Sequence, residues 1–316
     1  MQLFRKLTEF PSALRGGALT IGNFDGVHRG HEKIIHQLTR QANELDGTAI
    51  VFTFDPHPVR ILRPAQSPPP LTWTNRKADL LAELGVDIVV AYPTDHELLS
   101  LSYQDFFQQI VVEKIGAKAM VEGPNFYFGR NREGNPATLA ELCRHDEIAL
   151  KIVEPLLESD DYISSSRIRD LIRSGNVDQA AQLLTHPYRI RGMVTHGAAR
   201  GATIGFPTAN LDAIDTLVPA MGVYAGRTYV DGRSHWSAIN IGPNPTFGEQ
   251  CVKVESHLLD FEGSLYGQPI EVDFVSRLRD IRQFPSAVEL SQQLQQDVAK
   301  TRNLARQFSN SIVTKG

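Results

Sequence analysis

Cysteine is scarce in this sequence: the two that occur, Cys143 and Cys251, are far apart and form no Cys-x-x-Cys pair. A disulfide framework or a thiolate zinc site needs several cysteines at regular spacings, so we expect neither. No run approaches the ~20 apolar residues of a membrane span. The amino terminus carries Thr8, Glu9 and Pro11 in place of the apolar core of a signal peptide. We therefore expect no membrane partner and a cytoplasmic protein.

An excess of positive charge is also missing. The 32 lysines and arginines are outnumbered by 36 aspartates and glutamates, which gives a net charge of -4. Proteins that coat nucleic acid normally carry a basic excess, so we expect no nucleic-acid partner. The 316 residues are 41% hydrophobic and 22% charged, which fits two globular domains of roughly 100–200 residues each. We expect a monomer or a weak homo-oligomer.

Strand-like and helical patterns alternate in the first half of the sequence. A segment with Ile34, Ile35 and Leu38 shows helical spacing, and a second helix is predicted to open at Ser102. Alternation of this kind predicts βαβ units on a parallel sheet. A later helix is predicted to start near residues 164–166 and to end at Gly175. The predicted strands are residues 18–21, 49–54, 88–91 and 117–121.

The second half has short β-type runs separated by glycines. This spacing favours a small antiparallel barrel, and apolar residues at helical intervals from Ser286 onward predict a closing helix. We place the domain boundary near residue 186, which gives domains 1–186 and 187–316. The fold class is therefore an α/β domain followed by a small β-barrel. The barrel runs are residues 188–194, 223–230, 237–241, 252–259 and 270–275.

The most informative segment, residues 22–31 (GNFDGVHRGH), joins the first predicted strand to the first predicted helix. Free backbone N–H groups and the helix dipole favour negative charge at such a junction, so phosphates bind there. His28 and His31 are three residues apart and could both donate to one ATP. The alternative is a pair of surface or capping histidines. Three glycines would allow close approach of a nucleotide: Gly22, Gly26 and Gly30.

Residues 28–31 resemble the HxGH signature of the nucleotidylyltransferase superfamily, and residues 22–31 resemble the bacterial bifunctional FAD synthetases. Further motifs of that family follow in order: residues 54–58 (FDPHP), 123–129 (GPNFYFG) and 163–169 (ISSSRIR). The resemblance implies a Rossmann-like domain that transfers the adenylyl group of ATP to FMN and releases pyrophosphate. Ser166 stands where the family commonly has threonine, which preserves the hydroxyl.

The resemblance also implies roles for individual residues of this half. His28 and His31 would contact the triphosphate, and Ser164 with Arg167 would contact the leaving pyrophosphate. Asn125 would position the flavin phosphate or the nucleotide. The alternative for the serines is a plain helix cap. The remaining nucleotide-binding residues would be Gly22, Asn23, Phe24, Asp25, Gly26, Gly30 and Ser165.

The second half lacks a GxxxxGK[ST] P-loop. Instead, residues 201–210 (GATIGFPTAN) form a glycine-flanked segment that ends in Thr208 and Asn210. Both could bind Mg2+ on ATP phosphates, because magnesium takes oxygen ligands. A turn is the alternative for this Thr-x-Asn.

Residues 205–210 (GFPTAN) resemble the signature of riboflavin kinases. Residues 222–225, 240–242 with 245–247, and 254–261 accompany it. The resemblance implies that Glu255 is the general base that accepts the proton of the ribityl 5′-hydroxyl. The alternative is an outward-facing strand residue. Ala202 and Ile281 stand where the family usually has a basic residue and a glutamate. Other residues implied to bind ATP or flavin are Gly201, Gly205, Pro207, Asn240, Arg277 and Arg279.

The resemblance runs in order over about residues 15–305. It implies a bifunctional enzyme that phosphorylates riboflavin to FMN and adenylylates FMN to FAD, with riboflavin, FMN and ATP as its small-molecule partners and Mg2+ as its metal. One alternative is a riboflavin kinase whose first half binds nucleotide without catalysis. Others are a nucleotidylyltransferase with an RNA-binding barrel and a non-catalytic flavin carrier.

Overall fold

The computed structural model describes residues 1–158, 161–197, 201, 204–243 and 252–313, with side chains up to residue 308. Contacts divide the chain into two compact units. The first comprises residues 1–68 and 72–165, and the second comprises residues 69–71 and 166–316.

The first unit is built on six parallel strands: β1 (Gln2–Phe4), β2 (Ala18–Ile21), β3 (Ala49–Asp55), β4 (Ile88–Pro93), β5 (Ala119–Glu122) and β6 (Ala149–Ile152). Their order in the sheet is β1-β4-β3-β2-β5-β6. Alternate residues of the strands enter two separate apolar clusters, with Leu19 and Phe52 in one and Ala18 and Val51 in the other. The sheet is therefore covered on both faces, as parallel sheets generally are.

Helices occupy the connections of this sheet. Ser102 accepts a hydrogen bond from the Asp105 N–H and so caps one of them, as predicted. A short antiparallel ribbon pairs β7 (Leu157–Glu158) with β8 (Asp161–Tyr162). Short 3-10 turns lie at Leu7–Glu9, Ser12–Leu14, Pro64–Gln66 and Arg130–Arg132. The helices are α1 (Arg29–Glu44), α2 (Pro58–Leu62), α3 (Thr74–Glu83), α4 (His96–Ser100), α5 (Tyr103–Phe106) with its π-helical continuation Phe107–Ile115, and α6 (Pro136–His145).

The second unit contains a closed barrel of six strands: β9 (Tyr188–Thr195), β10 (Ala209–Asp212), β11 (Gly222–Val230), β12 (Arg233–Gly242), β13 (Lys253–Leu258) and β14 (Pro269–Arg279). Neighbouring strands are antiparallel, in the order β10-β13-β12-β11-β14-β9. Two helices precede the barrel, α7 (Ser165–Arg173) and α8 (Val177–Leu183), and α9 (Ala287–Val313) follows it. The predicted α/β sheet, small barrel and closing helix are confirmed.

The barrel interior is mainly apolar, with Tyr188, Tyr224 and Phe274 among its largest fully buried side chains. Outside it, α9 is fastened by a buried carboxylate, because Asp297 accepts hydrogen bonds from Arg279 and Gln293. Gly175 takes a φ of 82° just after α7, which agrees with its predicted role as a helix terminator. Among the described residues, no helix is both long and apolar enough to cross a membrane.

Candidate active sites

The loop from β2 to α1 has a strained backbone. Phe24 and Val27 have φ values of 45° and 39°, a region that β-branched and bulky residues rarely adopt. Hydrogen bonds hold the loop there: Asp25 Oδ1 accepts from the Thr72 N–H at 3.1 Å, and the Gly26 N–H donates to Thr72 Oγ1 at 3.2 Å. Strain that the surroundings maintain in this way is common where a loop must present its backbone to a ligand.

His28 and His31 open α1 as a reciprocal capping pair. Nδ1 of His28 accepts from the His31 N–H at 3.3 Å, and Nδ1 of His31 accepts from the His28 N–H at 3.4 Å. Their rings are stacked with centroids 3.6 Å apart. The two histidines therefore do cap the helix, as the alternative interpretation held. Because the caps use only Nδ1, Nε2 of each ring is left as a donor for a ligand. A side chain on Gly30 would place its Cβ 3.1 Å from the His28 ring.

Both histidines are neutral at pH 7. His28 is 5% exposed, and burial lowers its pKa to about 4. A backbone hydrogen bond acts in the opposite direction and raises the pKa. Burial, followed by the positive charges of His28 and Lys77, lowers the pKa of His31 well below its usual range. Because each Nδ1 accepts a backbone hydrogen bond, the neutral ring carries its proton on Nε2. The pair supplies two oriented donors and no net charge.

Lys77 is a buried residue near the strained loop that sequence reasoning missed. It lies on α3, is 8% exposed, and donates from Nζ to Thr53 Oγ1 at 3.3 Å. Thr53 Oγ1 in turn donates to the carbonyl oxygen of Asn23 at 3.2 Å. Burial lowers the pKa of Lys77, while Asp25 and Asp55 act in the opposite direction. A signal was present, because Lys77 precedes two leucines of the same helix at three and four residues, where a core position is expected.

Glu122, at the carboxyl end of β5, was also missed. It is 2% exposed and accepts a hydrogen bond from the Ile21 N–H at 2.7 Å. Burial raises its pKa well above the ordinary value, although the hydrogen bond from Ile21 opposes this shift. The Glu122 carboxyl thus fixes the end of β2, where the strained loop begins, against the end of β5, where residues 123–129 begin.

The other residues predicted for this site lie in the loop after β5 and at the start of α7. Asn125 is exposed in the loop after β5, and Ser164 is half-buried. Ser165 donates from Oγ to the carbonyl oxygen of Asp25 at 2.9 Å, which brings the fourth motif to the strained loop. Arg167 is half-buried on α7 and belongs to the second unit. The predicted contacts of these side chains with substrate remain predictions.

Glu255 lies in a polar row that crosses three strands of the barrel. In the register, Glu255 of β13 is opposite Asn210 of β10 on one side and Asn240 of β12 on the other. Their neighbours along the strands, Val254 and Ile241 among them, are buried, whereas all three members of the row are half-buried. The row therefore faces outward, as the alternative interpretation of Glu255 held, and it places the carboxylate beside two amides.

The predicted magnesium ligands fit a cation. Asn210 Oδ1 is buried and has no hydrogen-bond partner, which leaves an oxygen for a ligand of this kind. A Cβ on Gly201 would lie 3.8 Å from Thr208 Oγ1 and 2.3 Å from the Phe206 carbonyl, so the segment closes tightly where only glycine fits. Gly205 has a φ of 87°. Among the described residues, no group of three or more His, Cys, Asp or Glu could hold a metal.

The arginines at the end of β14 have protein partners. Arg277 donates to the carbonyl oxygen of Met221 at 2.7 Å, and Arg279 Nη2 donates to Asp297 Oδ2 at 2.8 Å. Their predicted contacts with ATP or flavin remain predictions. Pro207 accepts from the ring of His257 at 2.7 Å. Ala202 and residues 245–247 lie outside the described residues.

Models of two protein families match the chain: FAD synthetase over residues 10–167 and riboflavin kinase over residues 184–305. A bifunctional riboflavin kinase/FMN adenylyltransferase of Pseudomonas fluorescens is 35% identical over 96% of this chain and 98% of its own length. A protein of the same description from Bacillus subtilis is 35% identical over 92% of each chain.

A solved structure agrees with these matches in fold. A crystal structure described as a macrolide-efflux protein from Streptococcus pneumoniae has a TM-score of 0.83 at 29% identity, covering 96% of this chain and 98% of that one. The efflux activity in that description is ascribed to that protein alone. Both family models match, and relatives agree over nearly their whole length, so the chain belongs to the family of bifunctional riboflavin kinases/FMN adenylyltransferases, which phosphorylate riboflavin to FMN and adenylylate FMN to FAD.

Proposed function

We propose that the two reactions are divided at about residue 186. Residues 1–186 would transfer the adenylyl group of ATP to FMN, and residues 187–316 would phosphorylate riboflavin. The FAD synthetase match ends at residue 167 and the riboflavin kinase match begins at residue 184, close to this boundary. The observation that carries the proposal is the presence of two unlike polar arrangements: a capped histidine pair at a strand-to-helix loop and an Asn–Glu–Asn row on a barrel.

Adenylyl transfer requires an FMN phosphate oxygen to attack the α-phosphorus of ATP while the bond to the bridging oxygen breaks and pyrophosphate leaves. His28 and His31 donate Nε2–H to the triphosphate, and their capping bonds hold both rings in place before substrate arrives. Donors fixed in this way stabilise developing charge without reorganisation. Ser164 and Arg167 bind the leaving pyrophosphate, and Asn125 positions the flavin phosphate or the nucleotide.

The nucleotide lies along the strained loop. Glycine at positions 22, 26 and 30 allows the phosphates to approach the backbone, and the positive end of the α1 dipole favours negative charge there. Asn23, Phe24 and Asp25 shape the loop, and Ser165 fastens it through the carbonyl oxygen of Asp25.

In riboflavin phosphorylation, Glu255 accepts the proton of the ribityl 5′-hydroxyl, whose oxygen attacks the γ-phosphorus of ATP, and ADP leaves. Thr208 and Asn210 would hold Mg2+, which neutralises charge on the ATP phosphates when bound. Gly201, Gly205 and Pro207 shape the segment that leads to these ligands, and Asn240 flanks the base. Arg277 and Arg279 would contact phosphate or flavin.

The division of labour is tested with two variants, each of which controls for the folding of the other. His28→Asn/His31→Asn retains capping oxygens and should lower FAD formation from FMN by about 100-fold or more, with FMN formation unchanged. Glu255→Gln should lower FMN formation by about 10²–10⁴-fold, with FAD formation from supplied FMN unchanged. Loss of both reactions in either variant, or of the wrong reaction, contradicts the assignment.

Residence in the cytoplasm and a monomeric or weakly associated state complete the proposal. The substrate set supports the first, because both reactions consume ATP. Size-exclusion chromatography with light scattering tests the second, and a stable oligomer at micromolar concentration contradicts it.

A further inference from the structure

The site around His28 and His31 has donors but little positive charge of its own. The two rings are stacked 3.6 Å apart, and two cations at that distance repel each other strongly, so they cannot both be protonated at little cost. Yet adenylyl transfer brings together an FMN phosphate and a triphosphate. The proposed contact of Arg167 with the leaving pyrophosphate supplies one positive charge, and a further cation is needed to balance the remaining charge of these groups.

Two arginines near this site are already engaged. Arg29, in the first turn of α1, pairs with Glu158 at 3.0 Å. Arg5 pairs with Asp55 at 3.4 Å and donates to Asn75 at 2.9 Å. Either arginine could bind a phosphate only by giving up its present contact with a carboxylate or an amide oxygen.

Lys77 is different, because it is buried without an ion pair. Within the described part of the chain, its only hydrogen-bond acceptor is Thr53 Oγ1, and it forms no ion pair. An ammonium group has three donors, and lysine is almost never buried without a charged partner. A buried cation that the protein leaves unpaired in this way requires an explanation, and a ligand anion supplies one.

The position of Lys77 agrees with this explanation. Thr53, its hydrogen-bond partner, lies near the carboxyl end of β3, the sheet edge where open α/β folds bind ligands. Thr53 also contacts the backbone of the strained loop through Asn23. The charge of Lys77 reaches His31, since it contributes to the lowered pKa of that ring. The Oδ1 atom of Asn23 is itself buried without a partner.

The neighbouring carboxylates of Asp25 and Asp55 oppose the lowering of the Lys77 pKa by burial, but neither forms an ion pair with it. Asp25 accepts from the backbone and hydroxyl of Thr72, and Asp55 accepts from Thr74 Oγ1 at 2.6 Å. One oxygen of each carboxylate is therefore already engaged, and donors of the ammonium remain for a further acceptor.

We propose that the Lys77 ammonium binds a phosphate oxygen of the reacting FMN–ATP pair and supplies the positive charge that His28 and His31 do not. This inference rests on the proposed assignment of adenylyl transfer to residues 1–186. It adds a residue outside the four motifs to that site.

Three variants test the proposal. Lys77→Met removes the charge and keeps the apolar stem, Lys77→Arg keeps the charge, and Lys118→Met is the matched control, because Lys118 is exposed just before β5, at the opposite edge of the sheet. FAD formation from FMN and ATP, and FMN formation from riboflavin and ATP, are measured on the same preparations. Lys77→Met should lower kcat for FAD formation by at least about 100-fold, with FMN formation and Lys118→Met both within twofold of wild type.

The arginine variant separates ligand binding from a structural role. Wild-type FAD formation should fall at alkaline pH as Lys77 loses its proton, with Asp25, Asp55 and His31 as the charged or titratable neighbours of that group. Lys77→Arg should recover at least tenfold over Lys77→Met and should lose this alkaline limb, because a guanidinium stays protonated. If Lys77→Met does not fold, the proposal is tested by the pH dependence of FAD formation in Lys77→Arg, which should lack the alkaline decrease seen in wild type.

An unchanged alkaline limb in Lys77→Arg, or FAD formation by folded Lys77→Met within threefold of wild type, overturns the proposal. Failure of wild type itself to form FAD would instead refute the assignment of adenylyl transfer on which the proposal rests.

Discussion

The buried carboxylate of Asp297 should contribute strongly to the attachment of α9. Asp297 is 0% exposed and accepts from Arg279 at 2.8 Å and 3.0 Å and from Gln293 at 2.9 Å. Asp297→Asn removes the charge that balances a guanidinium whose side chain is 17% exposed. Breaking a buried pair from one side costs about 3–5 kcal/mol. With a urea m-value of about 2–3 kcal/mol/M, this corresponds to a loss of about 1–2.5 M in the urea midpoint.

An exposed ion pair made by the same helix supplies a matched control. Arg302 of α9 pairs with Asp260 at 2.6 Å, but these side chains are 46% and 70% exposed, so Asp260→Asn should leave the midpoint unchanged within error. Trp236, which packs against Phe308 of α9 with ring centroids 5.6 Å apart, reports unfolding of the second unit by fluorescence. The other tryptophan, Trp73, is removed by a Trp73→Phe background. Equal midpoints for the two variants would refute the reasoning from burial.

Three further predictions concern substitutions of single side chains. Asn210→Ala should raise the Mg2+ concentration needed for half-maximal FMN formation by about tenfold or more and leave FAD formation unchanged; an unchanged Mg2+ titration counts against the metal assignment. Glu122→Gln should cost less stability than Glu122→Ala, because the amide oxygen can still accept from the Ile21 N–H and burial already disfavours the charged carboxylate. Glu122→Ala strands the Ile21 N–H and should cost about 1–3 kcal/mol; thermal unfolding compares the two. His28 has a folded pKa of about 4, below the unfolded value of about 6.5. Its contribution to stability is therefore complete above pH 6.5 and lost as pH falls towards 4; His28→Asn should flatten this dependence in acid titrations followed by Trp73 fluorescence, and an unchanged slope would exclude His28 as its source.

The sequence predicted most of the elements that position the sites. The four motifs of the first half lie at strand ends or helix starts, as expected, because apolar runs and glycine-rich turns mark those junctions. β6 was missed: its exposed edge residues form no continuous apolar run. β10 was not predicted as a strand, because its first two residues were assigned to the glycine-flanked segment 201–210. Its four residues are held by pairing with β9 and β13, which are distant in sequence.

Lys77 and Glu122 show a different limit. Neither belongs to a motif, and each would be assigned to the surface by residue type alone. Their importance comes from burial, which depends on tertiary packing around the loop from β2 to α1. A charged residue on the apolar face of a predicted helix, or at the end of an apolar strand, was the available signal. Such a signal marks a position for inspection but does not reveal its partner.

Glu255 shows how one residue can satisfy two interpretations that the sequence left opposed. It faces outward, and that orientation is what places it between Asn210 and Asn240. A one-residue slip of β13 would exchange the faces of the strand and turn Glu255 into the barrel. Inside the barrel, the hydroxyl of Thr228 lies 2.9 Å from that of Ser237 and 2.8 Å from that of Ser256, all fully buried. Because a slip would break these bonds in an apolar interior, the buried hydroxyls maintain the register that presents the proposed base to solvent and substrate.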